Sequence, residues 1–129
     1  MPQDQNNAVI LIIDDDEVNR LVLSSVLQKN HIHCIMAENG AAGLQTAIDK
    51  MPDIILLDIF MPDENGFDIL TMIKENQKIK HIPVYIFSIL TNEADIQKAY
   101  QIGAAGYIIK PFDMNDVVDV LKKVIISKR

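Results

Sequence analysis

Only one cysteine, Cys34, occurs among the 129 residues. A single thiol excludes an internal disulfide and a zinc cage built on thiolates, and it fits a reducing cytoplasm. Positive charge is also scarce: 12 Lys and Arg stand against 18 Asp and Glu, a formal net charge of −6. Nucleic-acid binders need a basic face to neutralise phosphates, so this chain is not expected to bind nucleic acid in its own right. The longest apolar run, Ala8 to Ile13, is far too short to cross a bilayer. The first seven residues, MPQDQNN, contain no Lys or Arg and read as a polar tail rather than a signal peptide. No linker, low-complexity stretch or repeat divides residues 8–129, so one domain is expected there.

With 49% apolar and 23% charged residues, the composition is that of a globule that folds without disulfide or metal. Short apolar runs alternate with longer amphipathic stretches. The runs are Ala8 to Ile13, Ile32 to Ala37, Ile54 to Leu57, Val84 to Phe87 and Tyr107 to Ile109. They are nearly continuous and rich in β-branched residues, the pattern of strands buried on both faces. Helix-length stretches follow at 17–29, 41–50, 66–76, 93–102 and 114–127. In the first, Val18, Leu21, Val22, Ser25 and Val26 share a helical face; in the last, Val117, Val118, Leu121, Val124 and Ile125 do. Asp16, Asn39, Asn65, Asn92 and Asp113 stand at N-cap positions. Strand–helix units repeated with right-handed crossovers give an α/β fold, a doubly wound parallel sheet with helices on both faces.

In such a sheet the working residues lie just past the carboxyl ends of the strands. The first run is followed by Asp14-Asp15-Asp16, the third by Asp58, the fourth by Ser88-Ile89 and the fifth by Lys110-Pro111. Crowded carboxylates raise one another's pKa unless a cation intervenes, and hard oxygen ligands suit Mg²⁺. An Asp carboxylate is also a competent nucleophile toward phosphorus. An ammonium and a hydroxyl nearby would hold the oxygens of a transferred phosphoryl group. Alone, the acidic triplet reads as a solvated turn capping a helix. Its coincidence with Asp58, Ser88 and Lys110 at matching strand ends favours a site.

Taken together, the segments ILIIDDDEVNR, DIILLDIFMPDENGFDIL, IPVYIFS and GAAGYIIKPF resemble the receiver domains of two-component response regulators, from about Ala8 to Ile126. The resemblance implies a flavodoxin-like (βα)5 fold with sheet order 2-1-3-4-5. It implies Asp58 as phosphoacceptor, with Asp15 binding Mg²⁺ directly, Asp14 binding it mainly through water, and the Phe60 carbonyl as a further ligand. Ser88 and Lys110 would contact the phosphoryl oxygens, Lys110-Pro111 would be cis, and Tyr107 would be the aromatic switch that swings inward as the Ser88 hydroxyl moves. The implied partners are a histidine kinase or histidine phosphotransfer protein as donor. A downstream protein or fused output domain would read the face of the fourth helix, fifth strand and fifth helix. The domain would catalyse phosphotransfer onto itself and its slow hydrolysis, without being a dedicated metabolic enzyme. Where the family usually has Ala or Gly, this chain has Ile89, expected to narrow the approach to Asp58 and crowd the inward path of Tyr107. Phe60 and Leu90 are expected to border the line of approach of hydrolytic water. Two other readings stay open: a phosphorylation-independent interaction module, kept alive by Ile89, and a flavin-binding electron carrier, opposed by the acidic loop after the first strand.

The remaining features have plainer readings. His31 and His33 share a strand face with a buried Cys34 pointing away, at a solvated strand entry rather than a metal site. Gly66 is expected to supply positive φ after Met61-Pro62, Gly103 to end a helix, and Gly106 to make a turn. Met51, Met72 and Met114 read as packing residues. Lys122, Lys123, Lys128 and Arg129 complement a helix dipole.

Overall fold

A computed structural model describes residues 8–127. The polar tail 1–7, Lys128 and Arg129 lie outside the described residues. Chain order is β1 (Val9–Ile13), α1 (Glu17–Lys29), β2 (His33–Ala37), α2 (Gly40–Lys50), β3 (Ile54–Asp58), β4 (Phe60–Met61), β5 (Glu64–Asn65), α3 (Gly66–Glu75), β6 (Val84–Ser88), α4 (Glu93–Ile102), β7 (Gly106–Ile109) and α5 (Met114–Ser127). Five strands form one parallel sheet in the order β2-β1-β3-β6-β7. With the small β4–β5 hairpin set aside, this is the 2-1-3-4-5 order. Among the described residues no helix is long and apolar enough to cross a membrane.

Continuous apolar strands arise because alternate side chains enter two different cores. Leu11 and Ile13 of β1, with Ile55 and Leu57 of β3, pack on the side of α2, α3 and α4. Ile10, Ile12, Ile54 and Leu56 pack on the opposite side, with Leu23 and Leu27 of α1 and Val117, Val118, Leu121 and Ile125 of α5. Each fully buried Leu or Ile contributes roughly 1.5–3 kcal/mol. The helices start where short polar side chains take orphan N–H groups. Asp16 accepts from Val18 and Asn19, Asn39 from Ala42, Asn65 from Phe67, and Asn92 from Asp95. Asp113 accepts from Asn115 at 2.8 Å in the same way.

Several expectations are corrected. The buried face of α1 carries Leu23, Ser24 and Leu27, whereas Val18, Leu21 and Val22 face solvent. An apolar stripe this wide fits two helix rotations, and docking against β2 and α5 selects one. His31 precedes β2 in a left-handed turn with φ 62°, so it does not share a strand face with His33. Cys34 is half-buried; its Sγ lies 4.0 Å from the Ser24 carbonyl, and burial pushes its thiol pKa up. Met51 and Met72 are exposed, Met51 because it closes α2 in a left-handed C-cap. Only Met114 of the three packs on a core. Gly106 lies within β7 and is needed for contact with the Tyr85 ring rather than for a turn.

Gly66 also has no positive φ. Its requirement is space: a Cβ there would lie 2.4 Å from both Cα and the carbonyl oxygen of Ile59. The obstacle is backbone, which cannot rotate away as a side chain does. Gly66→Ala is therefore expected to cost about 3 kcal/mol, the upper end of overpacking, in urea unfolding.

Candidate functional site

Every strand of the central pair ends in acid. Asp14 follows β1 directly and is fully buried. Its N–H donates to the Ala37 carbonyl at 3.1 Å, and its own carbonyl accepts from Arg20 Nη1 at 2.7 Å. Its Oδ1 accepts from the Asp16 N–H at 2.9 Å, while Oδ2 is buried with no hydrogen-bond partner among the described residues. Asp15, one residue on, is exposed. Asp58 closes β3 and is buried: Oδ1 accepts from the Phe60 N–H at 2.9 Å, and Oδ2 accepts from Lys110 Nζ at 3.3 Å. Lys110 leaves β7 with its N–H on the Ser88 carbonyl at 2.9 Å, and its ammonium also stands 3.8 Å from Asp14 Oδ2. The Lys110-Pro111 peptide is cis, as expected.

One ammonium thus faces two buried carboxylates. Burial, the largest cause, pushes the Asp58 pKa up to about 6, and the Asp14 charge adds to the rise. Lys110 and the Phe60 N–H oppose it. One carboxylate oxygen from each of Asp14, Asp15 and Asp58 lies within 4.8 Å of the other two. Hard oxygen donors at this spacing fit Mg²⁺, and the buried Asp14 Oδ2 lacks a hydrogen bond that a cation's charge would replace.

A cavity of about 400 Å³ opens over Asp58. Its walls include Asp15, Asp16, Lys110 and two apolar side chains on the surface, Phe60 at 50% and Ile89 at 56% exposure. Ile89 therefore stands at the mouth of this cavity. Leu90 does not border it: the side chain is half-buried against the core on the α2–α4 side. Ser88 is buried beside the cavity rather than lining it, and its Oγ accepts from the Leu90 N–H at 3.0 Å. Tyr107 is already turned inward, its hydroxyl donating to the Leu90 carbonyl at 2.9 Å, so Ile89 does not obstruct that path. Burial raises the Tyr107 pKa, and a hydrogen bond with Ser88 works against the rise.

Two contributors escaped the sequence reading. Asn19 lines the cavity, and Arg20 fixes the Asp14 carbonyl. Their signal was position: both lie in the first turn of α1, three and four residues after the capping Asp16. A second, mainly apolar cavity of about 440 Å³ adjoins the first and shares Asn19, Ile89 and Lys110 with it. Val22, Phe112 and Met114 line its far side.

Comparison with known proteins agrees with this fold. The family model described as "Response regulator receiver domain" matches residues 10–122. Response regulator PleD of Caulobacter vibrioides is 34% identical over 107 residues, 83% of this chain and 24% of that protein, so the chain spans about a quarter of that relative's length. Protein PilH of Pseudomonas aeruginosa is 32% identical over 118 residues, 92% of this chain and 98% of that protein. The chemotaxis protein CheY4 of Vibrio cholerae superposes with a TM-score of 0.84 at 26% identity, covering 91% of this chain and 98% of that one.

The raised Asp58 pKa carries a stability prediction. With the pKa near 6 in the folded chain against the ordinary 3.8 of an aspartate, ionising Asp58 costs folding free energy. The cost is absent below about pH 4, grows through the interval, and is complete above about pH 6. Asp58→Asn without metal is expected to gain about 1–3 kcal/mol at pH 7.5 and almost nothing at pH 4, read by urea unfolding at both pH values.

Proposed function

The chain belongs to the response regulator receiver domain family, phosphorylation-activated switches of two-component signalling, and on that premise we propose that Asp58 is its phosphoacceptor. The observation that carries this reading is the placement of Asp58 beneath an open cavity, with one oxygen oriented by the Phe60 N–H and the other by Lys110. At neutral pH the carboxylate is mostly ionised, since its pKa lies near 6. A carboxylate oxygen attacks the phosphorus of a phosphohistidine on a kinase or phosphotransfer protein. The new O–P bond forms as the P–N bond breaks, and the imidazole leaves with the electron pair. Lys110 exchanges its contact with Asp58 for one with a phosphoryl oxygen, and Ser88 supplies a hydroxyl donor. Hydrolysis by water returns the carboxylate and inorganic phosphate.

Asp15 and Asp58, assisted by Asp14 and the Phe60 carbonyl, would hold Mg²⁺. Bound there, it would neutralise charge on the phosphoryl oxygens during transfer. The donor docks over the apolar cavity beside α1, where Val18, Leu21 and Val22 are exposed and the site adjoins. Output is read on the α4–β7–α5 face, to which Tyr107 is connected through β7. The half-buried Cys34 thiol suits the reducing cytoplasm this reading assigns.

Incubation with a phosphorylated donor protein and Mg²⁺, followed by intact mass, tests the assignment. Wild type is expected to gain one phosphoryl group and Asp58→Ala none; an equal gain in Asp58→Ala overturns it. Val22→Glu is expected to slow loading from the protein donor while leaving loading from a small phosphodonor unchanged.

The apolar mouth makes a further prediction on lifetime. Neither Phe60 nor Ile89 offers a side-chain hydrogen bond to orient attacking water. With donor removed and Mg²⁺ present, Phe60→Asn and Ile89→Ala are expected to lose the phosphoryl group about tenfold faster than wild type, a barrier change of about 1.4 kcal/mol. Decay at the wild-type rate in both variants removes the shielding role and leaves Asp58 as acceptor.

A further inference from the structure

Glu64 stands in the hairpin that follows Asp58, yet its carboxylate reaches a different helix. Oε1 and Oε2 both accept from the backbone N–H of Gly40, at 2.7 and 3.0 Å, across 24 residues of chain. Gly40 opens α2, where backbone N–H groups have no intrahelical acceptor and the helix dipole favours a carboxylate. Glycine leaves room for both side chains in this arrangement: a Cβ on residue 40 would lie 2.7 Å from Glu64 Oε2 and 2.4 Å from Ile69 Cδ1, and both side-chain ends would have to shift.

The hairpin transmits that anchorage to the site. Met61 pairs with Glu64 and Phe60 with Asn65, antiparallel. Phe60 is tied to Asp58 by its N–H, and Met61 is buried in the core. The segment from Asp58 to Asn65 is therefore held at the acid, at the core and, through Glu64, at α2.

We infer that Glu64 is a positioning residue for the cation site: it clamps the hairpin to α2 and so fixes the Phe60 carbonyl relative to the three aspartates. This rests on the reading of Phe60 as a metal ligand. The consequence is selective, because the two common hard cations differ in tolerance. Mg²⁺ demands near-ideal octahedral geometry at short distances, whereas Ca²⁺ accepts variable coordination at longer ones. A hairpin released from α2 weakens Mg²⁺ more than Ca²⁺. The clamp rests chiefly on an acceptor of the right length; glutamine keeps one such oxygen and gives up only the smaller dipole attraction of the charge, so it serves nearly as well as glutamate.

Calorimetric titration of the metal-free chain with Mg²⁺ and, separately, Ca²⁺ tests this on wild type, Glu64→Ala, Glu64→Gln and Asp15→Ala, with circular dichroism to verify folding. Glu64→Ala is expected to weaken Mg²⁺ about tenfold and Ca²⁺ about twofold or less, as loss of an outer support does. Glu64→Gln is expected to keep Mg²⁺ affinity close to wild type. Three results overturn the clamp: unchanged Mg²⁺ affinity in Glu64→Ala, equal weakening of both cations, or a loss in Glu64→Gln as large as in Glu64→Ala. If Glu64→Ala does not fold, Glu64→Asp, one methylene too short, is expected to show the same selective loss and its absence overturns the clamp equally. Wild type that takes up no Mg²⁺, or Asp15→Ala that binds it as wild type does, overturns instead the metal reading beneath it.

Discussion

Two buried carboxylates share one ammonium, and the carboxyl edge of the sheet is organised around that shortage of positive charge. Lys110 Nζ stands 3.3 Å from Asp58 and 3.8 Å from Asp14. At an effective dielectric of 20, unit charges about 4 Å apart interact by about 4 kcal/mol. One ammonium cannot satisfy two such acids against their mutual repulsion and the cost of burying both. The residue of that imbalance is visible in two places, the elevated pKa of Asp58 and the Oδ2 of Asp14, which has no hydrogen-bond partner among the described residues and only the 3.8 Å ion pair with Lys110. Such an edge persists only where the surrounding structure determines it more strongly than it resists. β1 and β3 supply that, with Ile10 to Ile13 and Ile54 to Leu57 fully buried between two cores. Local inconsistency concentrated at one edge, against consistency everywhere else, is how a functional site differs from its scaffold.

The same contrast explains what the sequence made legible. Strands declared themselves because a strand buried on both faces has no choice but to be apolar throughout, as β1 and β3 are. Strand ends then fixed the positions of Asp14, Asp58, Ser88 and Lys110 on one edge. The caps were readable for a related reason: Asp16, Asn39, Asn65 and Asn92 answer a local demand for acceptors that neighbours two or three residues away create. What failed was everything decided by contacts distant in sequence. The rotation of α1 depends on β2 and α5, and Val18, Leu21 and Val22 satisfy helical periodicity without being buried. Gly66 is required by the Ile59 backbone, and Gly106 by the Tyr85 ring, neither of which a φ-based reading of glycine anticipates. Leu90 looked like a neighbour of the site from its spacing, but the backbone after Ser88 turns its side chain into the core. Glu64 reaches the N-terminus of α2 across 24 residues of chain, a contact no local pattern displays.

Ser88 joins the charged edge to the aromatic residue behind it. Its carbonyl accepts from Lys110, its Oγ accepts from Leu90, and the Leu90 carbonyl accepts in turn from Tyr107. A hydroxyl has one proton and two lone pairs. With the Leu90 bond occupying a lone pair, the proton is the part free to be redirected. A phosphoryl group on Asp58 would draw that proton without breaking the Ser88–Leu90 or Tyr107–Leu90 bonds. The two states then differ by one redirected hydrogen bond and the charge that Lys110 faces. Net hydrogen-bond differences of this kind are about 1 kcal/mol, and those to charged groups about 1.5–3. Differences of that size shift a two-state population by factors of tens rather than thousands, so Tyr107 can already stand inward before any phosphoryl group arrives. On the proposed reading of Asp58 as acceptor, the inward tyrosine is therefore a poor marker of activation, and the contacts of Ser88 and Lys110 are where a phosphoryl group would act.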